Sequence, residues 1–119
     1  MMDQRTRLSD KVAIVTGAGA TGSAEFVGIG QATSILFARA GAKVLSVDRD
    51  QANAEITLGT IKEEGGEASI FVGDVTDNAD CEGMADAAVE RYGRLNVLVN
   101  NVGISGAGSV TDVDEEFWD

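Results

Sequence analysis

Residues 12–30 read VAIVTGAGATGSAEFVGIG, and this stretch decides the fold of the chain. It begins with an apolar run, 12–15, which predicts a buried strand. A glycine-rich segment follows, and the pattern of a helix begins only after Gly28-Ile29-Gly30. A strand, a glycine-rich turn and a helix in this order form a phosphate site, because the backbone can approach a pyrophosphate and the free N–H groups of the helix start face the anion. The stretch therefore predicts a dinucleotide-binding protein.

The glycines of this segment can be interpreted in two registers. Residues 17–22 match G-x-G-x-x-G without a gap. The alternative pairs Gly17 with Gly28 and Gly30 and leaves an enlarged loop between them. We favour the second register, because the helical pattern begins only there, and we take Gly17, Gly28 and Ile29 as candidate phosphate contacts. A glycine-rich surface loop without a ligand is the competing interpretation.

Apolar runs alternate with helical patterns along the rest of the chain. Strands are predicted at 12–15, 43–47, 68–72 and 95–99, and helices at 30–40, at 51–64 and before Gly93. The third helix has the clearest pattern, because its apolar side chains follow one helical face. That face comprises Cys81, Met84, Ala85, Ala88, Val89 and Tyr92.

This alternation predicts an α/β fold. Short apolar strands separated by amphipathic helices imply parallel pairing with right-handed crossovers. Four strands connected in this way fit the order 3-2-1-4 of a Rossmann-like, doubly wound sheet. We expect residues 1–119 to form one dinucleotide-binding domain that is incomplete after its fourth strand.

Composition excludes several classes of function. The net charge of −11 repels nucleic acid and anionic membrane surfaces, so neither is an expected partner. No run approaches the roughly 18 apolar residues of a membrane span. The chain has no histidine, no C-x-x-C pair and no carboxylate-rich calcium loop, so we assign no metal ligand. A single cysteine, Cys81, and an N-terminus without an apolar signal segment favour the cytoplasm.

An acidic residue, Asp48, ends the second predicted strand. A carboxylate there can accept hydrogen bonds from both ribose hydroxyls of an adenosine and repels a 2′-phosphate, which favours NAD over NADP. When the enlarged loop is left out, its separation from Gly17 is near the expected ~20 positions. Arg49 allows the opposite interpretation, because arginine can stack on adenine or hold a 2′-phosphate. Asp48 could also be a solvated turn residue or a helix N-cap.

Two further strand ends carry candidate cofactor contacts. Asp74 follows the third strand, where its carboxylate can accept from the adenine amino group while the Val75 N–H meets a ring nitrogen. The alternative role of Asp74 is an N-cap. Asn101, Val102 and Gly103 follow the fourth strand, where asparagine amides can bridge strand ends and the glycine lets backbone approach a ribose. An ordinary turn is the alternative there.

Together these motifs resemble the short-chain dehydrogenase/reductase family. Residues 16–19 with 28–30 are similar to that family's T-G-x-x-x-G-x-G, apart from an insertion. Residues 100–103 are similar to its N-N-A-G, with Val102 in place of alanine. The pair Asp74-Val75 matches its adenine contact. The resemblance covers nearly the whole chain.

The resemblance implies a nicotinamide cofactor and hydride transfer to or from a small alcohol or carbonyl substrate. It also implies a serine on a fifth strand and a Y-x-x-x-K pair on the next helix, where the tyrosine transfers the proton. Tyr92 is the single tyrosine of residues 1–119, and no lysine follows Lys62. We therefore assign no catalytic residue and interpret the chain as the N-terminal, cofactor-binding half of such an enzyme.

Other interpretations stay open at this point. A non-catalytic dinucleotide-binding or interaction module has the same sequence features. A methyltransferase shares the glycine turn and the acid on strand two, but the Asn-Asn-Val-Gly segment and the Thr-Gly start disfavour it. Without a fifth strand, residues 97–99 would form an exposed apolar edge, which predicts self-association.

Overall fold

The computed structural model describes residues 7–20 and 28–101. Strands and helices alternate along this part of the chain, as the sequence predicts. They are β1 Val12–Thr16, α1 Ile29–Arg39, β2 Lys43–Asp48, α2 Gln51–Glu63, β3 Glu67–Val72, α3 Asn78–Tyr92 and β4 Val97–Val99.

The four strands form one parallel sheet in the order β3-β2-β1-β4, which confirms the predicted order. The central strand β1 is buried along its whole length. In its register, Ala13 lies opposite Val44 on one side and opposite Val97 on the other. The connections from β1 and from β3 leave in opposite directions across the sheet. The carboxyl end of β1 is therefore the switch point where open α/β sheets bind ligands.

Apolar side chains cover both faces of the sheet, because successive residues of a strand point to opposite sides. On one face α3 packs against the sheet in a core of Val12, Ile14, Leu45, Val47, Met84, Ala87 and Ala88. On the other face α1 and α2 pack in a core of Val15, Ala18, Ala38, Ala42, Val44, Ile61 and Ala68. These two helical layers hold the sheet so that the carboxyl ends of β1, β2 and β3 lie side by side.

The buried face of α3 matches the predicted one except at Val89, since Cys81, Met84, Ala88 and Tyr92 all contribute to the core on that side. Val89 is predicted on that face, but 52% of its surface is exposed, whereas Ala87 is buried. At 3.6 residues per turn, Val89 lies about 140° around the helix from Met84, and Ala87 lies about 60° to the opposite side. The apolar residues of α3 thus fit two overlapping faces of the helix, one with Val89 and one with Ala87. The face with Ala87 is the one that packs against the sheet.

β4 is shorter than predicted, because a side chain replaces backbone pairing at its start. Asn96 Oδ1 accepts from Val12 N at 2.9 Å, and Asn96 N donates to Val12 O at 2.9 Å. Both backbone groups of Val12 are thus satisfied by one residue. The regular ladder begins only at Val97, opposite Ala13.

Two fully buried hydroxyls, those of Ser34 and Ser46, have no hydrogen-bond partner within the described ranges. A buried hydroxyl without a partner costs about 1–3 kcal/mol. We expect Ser46→Ala to raise the free energy of unfolding by about 1 kcal/mol, measured by chemical denaturation. Ser9→Ala, at an exposed turn, should change it by less than about 0.5 kcal/mol. A loss of stability in Ser46→Ala would contradict the prediction and indicate a bonded hydroxyl.

Candidate active site

The glycine turn leaves β1 at Gly17, whose φ of 62° lies in the left-handed region that favours glycine. The next two residues bond to the end of β2. Ala18 N donates to Val47 O at 3.1 Å, and Gly19 N donates to Asp48 Oδ2 at 2.9 Å. The first part of the turn is therefore fixed to β2.

Gly19 has no room for a side chain. A Cβ at this position would lie 2.7 Å from Asp48 Oδ2 and 2.9 Å from Asn53 Cβ. The sequence interpretation assigned the working glycines to positions 17, 28 and 30, and did not include this one. Its signal in the sequence is the G-x-G spacing directly after β1.

The start of α1 lies against the same turn. Gly28 is its N-cap, and Ile29, its first residue, is 74% exposed. A Cβ on Gly30 would overlap Gly17 O and lie 2.8 Å from Asn101 Nδ2. This close approach supports the register that pairs Gly17 with Gly28 and Gly30. It also brings the free N–H groups of the helix start to the turn.

Thr16 joins the ends of β1 and β4. It is buried, and its Oγ1 accepts from Asn101 N at 2.9 Å. Val99 O and Asn100 Oδ1 each lie 3.2 Å from the same hydroxyl, as its acceptors. The strand ends are thus bridged through Thr16, by the side chain of Asn100 and the backbone N–H of Asn101, whereas the sequence predicted a bridge by asparagine amides alone. The sequence signal for this role of Thr16 is a hydroxyl side chain at the end of a buried strand, directly before the first glycine of the turn.

Asp48 lies at the end of β2 and does not cap α2. The cap is Asp50, whose carboxylate accepts from Asn53 N at 3.0 Å. Both oxygens of Asp48 accept backbone donors, Oδ2 from Gly19 N and Oδ1 from Asp50 N at 2.9 Å. These bonds fix the orientation of the carboxylate, and each oxygen retains a second lone pair for another donor.

Asp74 lies after β3, and Asp77 rather than Asp74 caps α3. Asp74 Oδ1 accepts from Thr76 N at 2.9 Å and from Thr76 Oγ1 at 2.7 Å. These two bonds lower the pKa of the Asp74 carboxyl, so the group is ionised at neutral pH. Its Oδ2 lies 3.9 Å from Arg49 Nη1. The carboxylate is thus available as an acceptor.

α3 fixes the turn that carries Asp74 and Val75. Asp74 N donates to Asp80 Oδ2 at 2.9 Å, and Cys81 Sγ donates to Val75 O at 3.2 Å. Asp80 and Cys81 lie in the first turns of the helix. The position of Val75 at the sheet edge therefore depends on the packing of α3.

A cleft of about 230 Å³ lies at the carboxyl end of the sheet. It is lined by Gly17, Val47, Asp48, Arg49, Gly73, Val75 and Asn101. Five of the predicted cofactor contacts are in that lining. The predicted contacts Gly28, Ile29 and Asp74 are not, although Asp74 lies 3.9 Å from Arg49. The predicted contacts Val102 and Gly103 lie outside the described residues.

The family-level comparison agrees with this arrangement. A family model described as short chain dehydrogenase matches residues 11–119. The chain belongs to the short-chain dehydrogenase/reductase family. The resemblance predicted from the sequence is thereby confirmed.

Individual members of the short-chain dehydrogenase/reductase family show how much of the fold is shared. The chain is 41% identical over 113 residues to 2-(S)-hydroxypropyl-CoM dehydrogenase 3 of Xanthobacter autotrophicus, covering 95% of this chain and 42% of that protein. It is 35% identical over 113 residues to the 3-oxoacyl-(acyl-carrier-protein) reductase of Thermotoga maritima, covering 95% and 43%. A short chain dehydrogenase structure from Mycobacterium smegmatis matches with a TM-score of 0.81 at 33% identity, covering 98% and 47%. The chain spans about two-fifths of the length of these curated relatives.

The described part of the chain has neither a cluster of metal ligands nor a membrane-spanning helix. Residues 7–20 and 28–101 contain no group of three or more acidic, cysteine or histidine side chains that could hold a metal ion. None of the three described helices has the length and apolar character required to cross a bilayer.

Proposed function

We propose that this short-chain dehydrogenase/reductase chain binds NAD in the cleft at the carboxyl end of its sheet. In that proposal it supplies the cofactor site of an oxidoreductase, which transfers hydride between the nicotinamide and a small alcohol or carbonyl. The observation that carries the proposal is a cleft lined by Gly17 of the glycine turn and by Asp48, with the start of α1 packed against Gly17. Each of these features matches a different part of the dinucleotide.

The pyrophosphate is assigned to the start of α1. Gly17 and Gly30 approach each other so closely that no side chain fits between them, which places the start of α1 directly against the glycine turn. The first turn of α1 contains no acidic residue that would repel a phosphate. Free N–H groups and the positive end of the helix dipole favour an anion there.

The adenosine is assigned to the ends of β2 and β3. The oriented carboxylate of Asp48 would accept from the ribose hydroxyls, and its charge opposes a 2′-phosphate. Asp74 and Val75 would contact the adenine. The Arg49 guanidinium lies 3.9 Å from the Asp74 carboxylate. The negative charge of Asp74 therefore reduces the attraction of Arg49 for a 2′-phosphate. These contacts support NAD over NADP.

Residues 1–119 are assigned to binding and not to proton transfer. They contain no Y-x-x-x-K pair, and Tyr92 bonds to Ser69 at 2.8 Å, away from the cleft residues. A non-catalytic dinucleotide-binding module therefore stays the second candidate for this segment. The substrate class and the cytoplasmic location remain proposals of the same kind.

We also propose that the chain self-associates through the edge of its sheet. Within the described chain β4 lies at an edge of the sheet, and its central residue, Leu98, is 61% exposed. Val97 and Val99 are half-buried, so the apolar surface is mainly on the α3 side. The net charge of −11 opposes association, but salt screens it beyond about 8 Å at physiological ionic strength.

We expect purified residues 1–119 to bind NAD weakly and to show no dehydrogenase turnover. The missing proton-transfer residues typically contribute about 10²–10⁴-fold to such a reaction. Calorimetry with NAD, and nicotinamide absorbance with a panel of alcohols and ketones, measure the two properties, while sedimentation of the same sample reports self-association. ADP-ribose should compete with NAD, and nicotinamide mononucleotide should not. Failure to bind NAD would contradict the proposed function, and reproducible turnover would contradict the assignment to binding alone.

A further inference from the structure

A buried hydroxyl on α2 contacts the glycine turn from the side of the core. Thr57 is 0% exposed, and its Oγ1 donates to Ala18 O at 2.7 Å. Ala18 is itself fully buried at the start of the turn. Thr57 does not line the cofactor cleft and belongs to none of the sequence motifs.

The bond of Thr57 is unusual for a threonine within a helix. Such a hydroxyl ordinarily bonds to the carbonyl four residues earlier. Thr60 does so with Ile56 O at 3.2 Å, on the same helix. For Thr57 the corresponding carbonyl is that of Asn53, which instead accepts from Ala20 N at 3.0 Å. The hydroxyl of Thr57 is thus directed out of its own helix and onto the turn.

One peptide unit connects this hydroxyl to the predicted ribose carboxylate. The carbonyl of the unit belongs to Ala18 and accepts from Thr57, while its N–H belongs to Gly19 and donates to Asp48 Oδ2 at 2.9 Å. Because a peptide unit is planar and rigid, α2 holds it at the carbonyl end and β2 holds it at the N–H end. Hydrogen bonds in such a chain also polarise one another.

We propose that Thr57 is a positioning residue for the cofactor: it orients the Ala18–Gly19 peptide, and through it the Asp48 carboxylate. This inference rests on the proposed function for the identity of the ligand. Loss of the hydroxyl leaves Ala18 O buried without its partner, and the peptide can then tilt toward other donors. The Gly19 N–H then loses its fixed geometry, and the Asp48 carboxylate loses one of the two backbone bonds that orient it.

The test compares Thr57→Val, which keeps the shape of the side chain, with Thr57→Ser, which keeps the donor. Thr60→Val is the matched control, because it removes a hydroxyl one turn along the same helix. The first measurement is hydrogen exchange of backbone amides without cofactor. In Thr57→Val the Gly19 amide should exchange about tenfold faster, as expected for the loss of one buried bond. Thr57→Ser and Thr60→Val should exchange like the unmodified chain.

The second measurement is calorimetric. Thr57→Val should raise the Kd for NAD about tenfold, and its effect should be smaller when Asp48→Asn is already present, because the two residues act through one peptide. Unchanged exchange at Gly19, equal acceleration of all amides, or strictly additive effects would overturn the proposal. If the unmodified chain does not bind NAD, the proposed function fails. The exchange at Gly19 still decides whether Thr57 orients the turn.

Discussion

Gly30→Ala is expected to raise the Kd for NAD by more than about a hundredfold, because it forces apart the two elements of the phosphate site. The added Cβ would overlap the backbone oxygen of Gly17 and lie 2.8 Å from Asn101 Nδ2. A backbone oxygen at the end of a central strand cannot rotate away as a flexible side chain does. The start of α1 must therefore withdraw from the turn, and its N–H groups lose their place beside the anion. Calorimetry with NAD measures the loss.

Gly59→Ala provides the matched control. Gly59 lies within α2, and a Cβ there would meet nothing within 4 Å. Alanine is better than glycine inside a helix by about 0.5–1 kcal/mol, so this variant should melt at a higher temperature and bind NAD unchanged. Circular dichroism should still show a folded Gly30→Ala protein. Equal NAD affinities for the two variants would contradict the close approach of α1 to Gly17.

Asp48→Asn is expected to narrow the preference for NAD over NADP by about tenfold or more. The unmodified chain should prefer NAD, because a fixed carboxylate accepts from the ribose hydroxyls and repels a 2′-phosphate. Asparagine keeps the shape and an oxygen for Gly19 N, but it removes the charge and takes away the acceptor of Asp50 N. NAD should therefore bind more weakly and NADP more tightly. Calorimetry with both cofactors gives the ratio.

Asp50→Asn is the control for charge alone. Asp50 lies two positions along the chain and caps α2, and asparagine is an equally good N-cap. The variant loses the same charge near the cleft without a role in ribose binding, so the cofactor ratio should stay within about twofold. If Asp50→Asn changed the ratio of NAD to NADP affinity as much as Asp48→Asn does, the preference would arise from the overall negative charge near the cleft. Equal affinity of the unmodified chain for both cofactors would exclude the role given to Asp48.

Much of the fold follows from local pattern. Apolar runs and helical spacing identified all seven elements, and their parallel connectivity then fitted the 3-2-1-4 order of a doubly wound sheet. The same logic placed Asp48, Asp74 and Asn101 at one edge, because the carboxyl ends of parallel strands meet there. Glycine spacing and the start of the helical pattern together indicated the register that pairs Gly17 with Gly30.

Local pattern failed where packing selects between near-equal alternatives. Val89 fits the spacing of a buried residue, yet contact with the sheet leaves it exposed and buries Ala87 instead. At β4, Asn96 bonds to both backbone groups of Val12 and delays the ladder by two residues. A side chain that replaces backbone pairing produces no hydrophobic periodicity, so the sequence pattern cannot reveal it.

The sequence by itself determined the class of fold, the order of the sheet and the strand ends that carry the candidate cofactor contacts. These depend on periodicity and short-range connectivity, which the chain displays directly. Only the tertiary structure decided which contacts support that site. They are the bond from Asn101 N to the Thr16 hydroxyl, the close approach of Gly30 to Gly17, and the bond from the Thr57 hydroxyl to Ala18 O. Such bonds join residues distant in the chain, and their geometry exists only after the crossovers have brought β1, α2 and β4 together.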